Sequence, residues 1–412
     1  MKVAVIGGGA SGLMAAGRCA SLGNSVDLFE ANEKVGKKLY ITGKGRCNVT
    51  NYSEPQEHLN NVVNNYKFLY SAEYSLTSFD TIDFFEKLGV PIKIERGNRA
   101  FPVSDKSSDI ISALNRYNQQ NGTNIKLNEA VISIDKKDSK FTLTTKYGVY
   151  NNYDATILCT GGLTYKATGS TGDGYTFARK FGHGVTKILP GLVPIILSDR
   201  YIKTLEGLSL KNVTLKAKYC DGLTKEFFGE MLFTSNGISG PIALSMSSYI
   251  NKYDNVALEI DFKPALTDEK LCSRISRDID ELKEKQVSTL ISGLLPKVLV
   301  NVFLNKAKID PSRRNKTLNT IEINNIVQLL KHFAISYAGL DKLDYGIITC
   351  GGVETSEIDP HTMQSKLVPG LYFAGEIIDV DALTGGFNLQ IAFSTGYVAG
   401  SLMGFKGVNI WL

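Results

Sequence analysis

Lys2-Val-Ala-Val-Ile6 is a short β-branched run, Gly7 to Gly12 a glycine-rich turn, Leu13 to Leu22 an Ala-rich helical pattern, and Val26 to Glu30 a second apolar run ending in an acid. Together they predict one βαβ unit. After a polar stretch from 48 to 65, helical patterns near Ser78 to Leu88 and Asp109 to Gln119 lead into alternating segments at Val131 to Asp135 and Phe141 to Thr145. These read as a β-meander that runs into the apolar strand Ala155 to Cys159. From about Lys187 to Lys263, strand-like runs such as Val213 to Tyr219 and Val256 to Asp261 alternate with Gly, Asp and Asn turns, the texture of a small barrel or sandwich. The period then turns helical, with Asp268 to Lys285 strongly amphipathic and Pro296 suited to a helix start. Strand and helix signals rich in glycine return at Leu371 to Ala374 and Asn388 to Leu402. The expected organisation is α/β: a first domain over 1–187 and 341–412, interrupted by a β-rich insertion at 188–263 and a helical subdomain at 264–340.

Composition narrows the class without naming a partner. The 412 residues are 43% hydrophobic and 21% charged, values of a folded globular protein rather than a disordered or coiled-coil chain. The net charge of +5 is dispersed, with no basic stripe, so no nucleic-acid partner is expected. Six cysteines stand far apart without a CxxC, which argues for reduced thiols and against a zinc site or an adjacent redox disulfide. His58, His183, His332 and His361 are equally scattered, so no metal cluster is expected, and His183 between two glycines reads as a turn residue. The chain opens on a strand rather than a leader, and its longest apolar region, Val287 to Leu304, is broken by Ser292, Gly293, Pro296 and Lys297. That favours two helices meeting near Pro296 over a membrane span, and a cytoplasmic protein.

The chemistry begins at Gly7-Gly-Gly9-Ala10-Ser11-Gly12, a GxGxxG between strand and helix. Gly7 permits the tight turn, Gly9 the approach of a pyrophosphate, Gly12 close helix packing, and the helix N-terminus holds the anion. Glu30, at the end of the second strand, is placed to bind both ribose hydroxyls and disfavours a 2′-phosphate. Dinucleotide binding follows, though this motif alone does not separate FAD from NAD. Ala155 to Thr160-Gly161-Gly162 and Gly370 to Gly375-Glu376 are two further apolar strands, one ending in Thr-Gly-Gly and the other in Ala-Gly-acid. They look like the second and third FAD signatures of flavoproteins with two dinucleotide domains.

The segments Gly36 to Asn51, Gly169 to Gly174, Ser239 to Pro241, Gly375 to Asp381 and Thr384 to Ala392 closely resemble the HI0933-like (BaiN-type) flavoprotein family, over essentially the whole chain. The resemblance implies an FAD-dependent oxidoreductase with a Rossmann-like, three-layer FAD-binding domain interrupted by a β-barrel and a small helical subdomain. Members are associated with oxo-steroid reduction of bile acids and with oxidation of aminoacetone or amino acids. Lys166 stands where the family often carries Pro, and Ser235-Asn236 where a His-containing dipeptide is frequent.

Set on this chain, the resemblance and the motifs assign candidate cofactor residues. Ser11 is expected to cap the first helix and meet the pyrophosphate; Lys37, Lys38 and Arg46 bring positive charge along the next loop; and Thr42, Gly43 and Asn48 run past the isoalloxazine. Val131 matches a position whose backbone pairs with adenine, although an ordinary core valine fits nearly as well. Glu376, with Asp379 beyond it, stands where relatives place an acid near the ribityl and pyrophosphate. Gly385 and Gly386, ahead of Asn388 and Leu389, are expected to aim a helix N-terminus at the flavin pyrimidine edge, where reduction develops negative charge. Cys47, without a nearby partner, reads as a small buried residue rather than a redox thiol. The expected reaction is hydride transfer between flavin N5 and NAD(P)H, docking transiently for want of a second GxGxxG, or a small organic substrate. An amine oxidase using oxygen is the alternative, and a flavin-binding regulatory or RNA-associated protein the alternative of another class. No catalytic acid or base, substrate or oligomeric state is legible.

Overall fold

A computed structural model describes residues 1–219 and 222–402. The chain divides into two compact units, Met1–Gly191 with Leu343–Leu412, and Leu192–Lys342.

The first unit is built on a five-stranded parallel sheet. Its strands are β1 (Lys2–Ile6), β2 (Ser25–Phe29), β3 (Asn124–Lys126), β4 (Ala155–Leu158) and β5 (Leu371–Phe373), in the spatial order β5-β4-β1-β2-β3. Val5 stands between Leu28 and Ile157, so the central strand is flanked by apolar neighbours on both sides and reads as a continuous hydrophobic run, as strands covered on both faces do. Helix α1 (Ala10–Ser21) follows β1 directly, and helix α2 (Phe387–Gly400) lies against it at backbone distance. A Cβ at Gly396 would fall 2.5 Å from the Ser11 carbonyl oxygen, and one at Gly400 2.4 Å from that of Ala15. The meander is an antiparallel sheet of Val131–Lys137, Lys140–Thr145 and Val149–Tyr153. The helices expected near 78–88 and 109–119 span Ser78–Lys87 and Ser107–Gln120.

The second unit holds a closed six-stranded antiparallel barrel, in the order Ile195–Leu197, Gly237–Ser239, Thr224–Thr234, Ser209–Lys218, Ala257–Asp261 and Phe333–Leu340. Four helices between 268 and 331 connect its last two strands, and the break expected at Pro296 separates Val287–Ser292 from Lys297–Ala307. Two details differ from the sequence reading. The helical stretch ends at Lys331, and Phe333–Leu340 returns to the barrel. The unit also begins at Leu192, four residues beyond the expected 188. Phe333–Leu340 follows the helix Thr320–Lys331 after a single residue, and although Phe333, Ile335 and Tyr337 alternate with Ala334, Ser336 and Ala338, its pairing with both Ile195–Leu197 and Ala257–Asp261 is set by the closed barrel. No helix among the described residues is long and apolar enough to cross a membrane.

Candidate cofactor site

The turn after β1 is as tight as its glycines demand. Gly7 has φ +103°, and a Cβ there would lie 2.4 Å from the Cys159 carbonyl oxygen; one at Gly12 would lie 1.8 Å from the Gly7 carbonyl oxygen. Gly9 faces open space. The turn therefore packs against β4 while leaving room above the start of α1, whose first-turn N–H groups have no side-chain cap and no acidic residue among them. Ser11 is corrected here: Gly9 occupies the cap position, and Ser11 sits inside the helix with its hydroxyl 2.5 Å from where a Gly375 Cβ would be.

Glu30 is buried at the end of β2. Its Oε2 accepts from the Gly8 N–H at 2.8 Å, while Oε1 accepts from the Asn32 N–H at 2.8 Å and from Asn32 Nδ2 at 2.6 Å. A carboxylate has about four acceptor positions, so it keeps room for a ribose hydroxyl but is first a structural anchor of the turn. Sequence reading missed Asn32, which also donates to the Thr168 carbonyl at 3.1 Å and packs under Gly169, tying the Gly169–Gly174 loop to Glu30. Val131 opens the meander next to this corner, for the Glu129 N–H donates to the Glu30 carbonyl at 2.8 Å.

The three cations assigned to the next loop are already engaged. Lys37 meets Glu33 at 2.8 Å and Asn32 Oδ1 at 3.0 Å; Lys38 meets Glu376 at 2.5 Å and the Thr164 hydroxyl at 2.9 Å; Arg46 meets Glu95 at 2.5 Å and Asp105 at 2.6 Å, with its guanidinium over the Phe101 ring. They order the loop rather than present open charge to an anion. Glu95 first, then Asp105, hold Arg46 in its charged form. Between Thr42 and Cys47 the backbone is left-handed at Gly43, Lys44, Gly45 and Cys47, strain of the kind stored at functional loops. The Thr42 hydroxyl closes the preceding turn by donating to the Leu39 carbonyl at 2.7 Å. Cys47 is buried, and burial pushes its thiol up to about 12, so it is no thiolate at neutral pH.

Glu376 organises the far side. Besides Lys38, its Oε1 accepts from the Thr349 N–H at 2.7 Å, and the Thr349 hydroxyl accepts from the Leu163 N–H at 2.8 Å. Gly162 is squeezed beneath this contact, where a Cβ would stand 2.1 Å from Thr349 Oγ1, and Gly161 turns left-handed beside Ser170. Thr349 is another residue that sequence reading missed. Gly375, also left-handed, donates its N–H to the Thr395 hydroxyl at 2.9 Å, and the Asp379 carbonyl accepts from Asn65 at 2.7 Å.

The Gly385–Gly386 turn is held from below. The Asn51 side chain donates to the Gly385 carbonyl at 3.1 Å, and a Cβ at Gly386, where φ is +106°, would stand 2.4 Å from the Thr50 carbonyl carbon and oxygen. Asn388 folds back on Ala382, accepting from its N–H at 3.0 Å and donating to its carbonyl at 2.7 Å, while Leu389 packs partly against the core. The first-turn N–H groups of α2 again lack a side-chain cap.

The residues present fit a dinucleotide that carries a redox ring. Two helix N-termini stand uncapped, Gly9 opens onto free space, and the buried Asn48 Oδ1 and Thr160 Oγ1 have no hydrogen-bond partner. A family model described as the HI0933-like protein Rossmann domain matches residues 1–402. The chain belongs to the HI0933-like family. It is accordingly an FAD-dependent oxidoreductase. Similar proteins include the 3-dehydro-bile acid delta(4,6)-reductase of Clostridium scindens, 28% identical over 97% of this chain and 98% of the relative. Also similar are the ribosomal RNA dihydrouridine synthases of Haemophilus influenzae, 31% identical over 95% and 96%, and of Escherichia coli, 29% identical over 95% of each chain.

Proposed function

We propose that the chain is an FAD-dependent reductase that adds two hydrogens across a carbon–carbon double bond conjugated to a carbonyl. Its substrate in this reading is a uracil base of ribosomal RNA, and its electron donor NAD(P)H. The observation that carries the reading is the pairing of relatives: a delta(4,6)-reductase of an oxo-steroid and two dihydrouridine synthases align with nearly the full chain. Both names describe one operation. A hydride joins the double-bond carbon remote from the carbonyl, a proton joins the carbon next to it, and NAD(P)H becomes NAD(P)+. FAD, when bound, supplies the ring that takes the hydride from the nicotinamide and gives it to the substrate. The chain's own residues bind and tune: the start of α1 takes the pyrophosphate, Glu30 the ribose, and the half-positive end of α2 is available to the negative charge that reduction develops. The dispersed net charge gives no reason to expect RNA; the two synthases do.

The test is anaerobic mixing of the FAD-loaded protein with NADH or NADPH, followed by addition of ribosomal RNA lacking dihydrouridine. The expected result is flavin bleaching by one nicotinamide, recolouring by the RNA, and a gain of two hydrogens at a uridine by mass spectrometry. If the RNA is inert and a conjugated ketosteroid recolours the flavin, the substrate is a steroid, the reading that the Clostridium relative favours. Bleaching by amines alone, with recolouring only by oxygen, overturns both in favour of an amine oxidase.

A further inference from the structure

His58, on the helix Pro55–Asn60, and Glu73, on the helix Tyr70–Ser75, are both buried, with side-chain exposures of 2% and 1%. The two helices pack on each other, and Tyr70–Ser75 packs on α2. His58 Nε2 lies 2.8 Å from the Asn51 carbonyl oxygen. A carbonyl only accepts, so Nε2 carries a hydrogen. Nδ1 then faces Glu73 Oε2 at 3.5 Å, and neither atom has another partner. An imidazole lone pair and a carboxylate oxygen held face to face away from water would repel, so a proton lies between them. Glu73 Oε1 accepts from the Ser394 hydroxyl of α2 at 3.2 Å, and the His58 ring meets Phe387, the first residue of α2, edge-on at 5.1 Å.

We infer that His58 and Glu73 share one proton and act as a positioning pair for the Gly385–Gly386 turn, so that retention of FAD depends on that proton. The connection is short. His58 fixes the Asn51 main chain; Asn51 holds the Gly385 carbonyl; and the adjoining Thr50 backbone is the surface on which Gly386 rests. The inference rests on the FAD reading of the site but not on the substrate.

Burial pushes the Glu73 carboxyl up to about 8, and burial likewise depresses His58. The folded protein therefore keeps the Glu73 proton where the unfolded chain releases it, and this group's contribution to stability falls as pH rises from about 4.5 to about 8. His58 acts oppositely: its depressed basicity removes stability as pH falls below about 6.5. Of the surrounding elements, the helix of His58 adds Glu57, which favours the charged ring; α2 presents Ser394 and Phe387, and the strand Thr50–Asn51 presents only its main chain.

The experiment uses the full-length holoprotein without substrate, so failure of the uracil reading does not touch it. FAD dissociation is measured from about pH 6 to about pH 9 for wild type, Glu73→Gln and Glu73→Ala. Wild type should weaken about tenfold between about pH 7 and pH 9. Glu73→Gln, whose amide supplies a permanent donor to Nδ1, should bind as tightly as wild type at low pH and show no alkaline loss. Glu73→Ala should bind weakly throughout. Nitrogen-15 spectra of the wild type should place the ring hydrogen of neutral His58 on Nε2. A Glu73→Gln profile that follows the wild type overturns the inference. So does a ring hydrogen on Nδ1, a result that stands even if the variants fail to fold.

Discussion

The two glycine turns of the first unit do similar work under opposite constraints. Both precede a helix whose first-turn N–H groups lack a side-chain cap. At the first, Gly7 and Gly12 are pressed against neighbouring backbone while Gly9 between them looks onto open space. At the second, Gly386 itself is pressed on the Thr50 backbone. The first turn separates its packing glycines from an open one; the second gives Gly386 to packing. Loss of a glycine should therefore mean different things at the two turns.

The sharpest way to break this contrast is the pair Gly386→Val and Gly9→Ala. Gly386→Val adds a β-branched side chain at a left-handed residue 2.4 Å from backbone, and should cost about 3 kcal/mol or more of stability together with FAD binding. Gly9→Ala should leave thermal unfolding of the apoprotein nearly unchanged and weaken FAD. Apoprotein melting curves and FAD titrations decide, and a stable, FAD-binding Gly386→Val would show that the second turn is as open as the first. Lowered flavin potential, the effect that a helix end aimed at the flavin suggests for Gly386→Val, is then overshadowed by loss of the clamp.

Glu30→Ala tests the first turn from its other side. It deprives the Gly8 N–H and both Asn32 donors of their acceptor, and hydrogen bonds to a charged group are worth about 1.5–3 kcal/mol each. Stability should fall in the apoprotein before any cofactor is added, and FAD affinity with it. A variant that melts like wild type yet loses FAD would return Glu30 to a purely ribose-binding role.

The smallest effect is expected at Cys47→Ser, in the loop that is left-handed at Gly43, Lys44, Gly45 and Cys47. A buried thiol held near pKa 12 does no nucleophilic or redox work. Turnover and flavin reduction should persist, with about 1 kcal/mol lost to a buried hydroxyl. Loss of turnover with the flavin still bound and reducible would contradict this.

What the sequence made legible were features whose causes are local. The unit β1-α1-β2 needs only a β-branched run, a glycine pattern and an acid at the right distance, all within thirty residues. The residues that escaped notice act across the chain. Thr349 earns its place from Leu163 and Glu376, and the Lys38 ammonium is committed to Glu376 far along the sequence. His183, between glycines, looks like a turn residue; it is in fact buried between Glu357 at 3.1 Å and Ser365 at 2.8 Å, with Phe373 edge-on to its ring. His58 and Glu73 are likewise ordinary helical residues until the fold brings them face to face. Such partners share no period and no spacing, so pattern reading has nothing to detect.

The glycine contacts that bring α2 against α1 also set an order of events during synthesis. Ser11 and Ala15 are made before the barrel unit, and Gly396 and Gly400, which complete their packing, come after the whole of it has been made. Until then one side of α1 lacks its neighbour and the sheet lacks β5. A chain truncated anywhere inside the barrel unit should therefore emerge without its yellow colour.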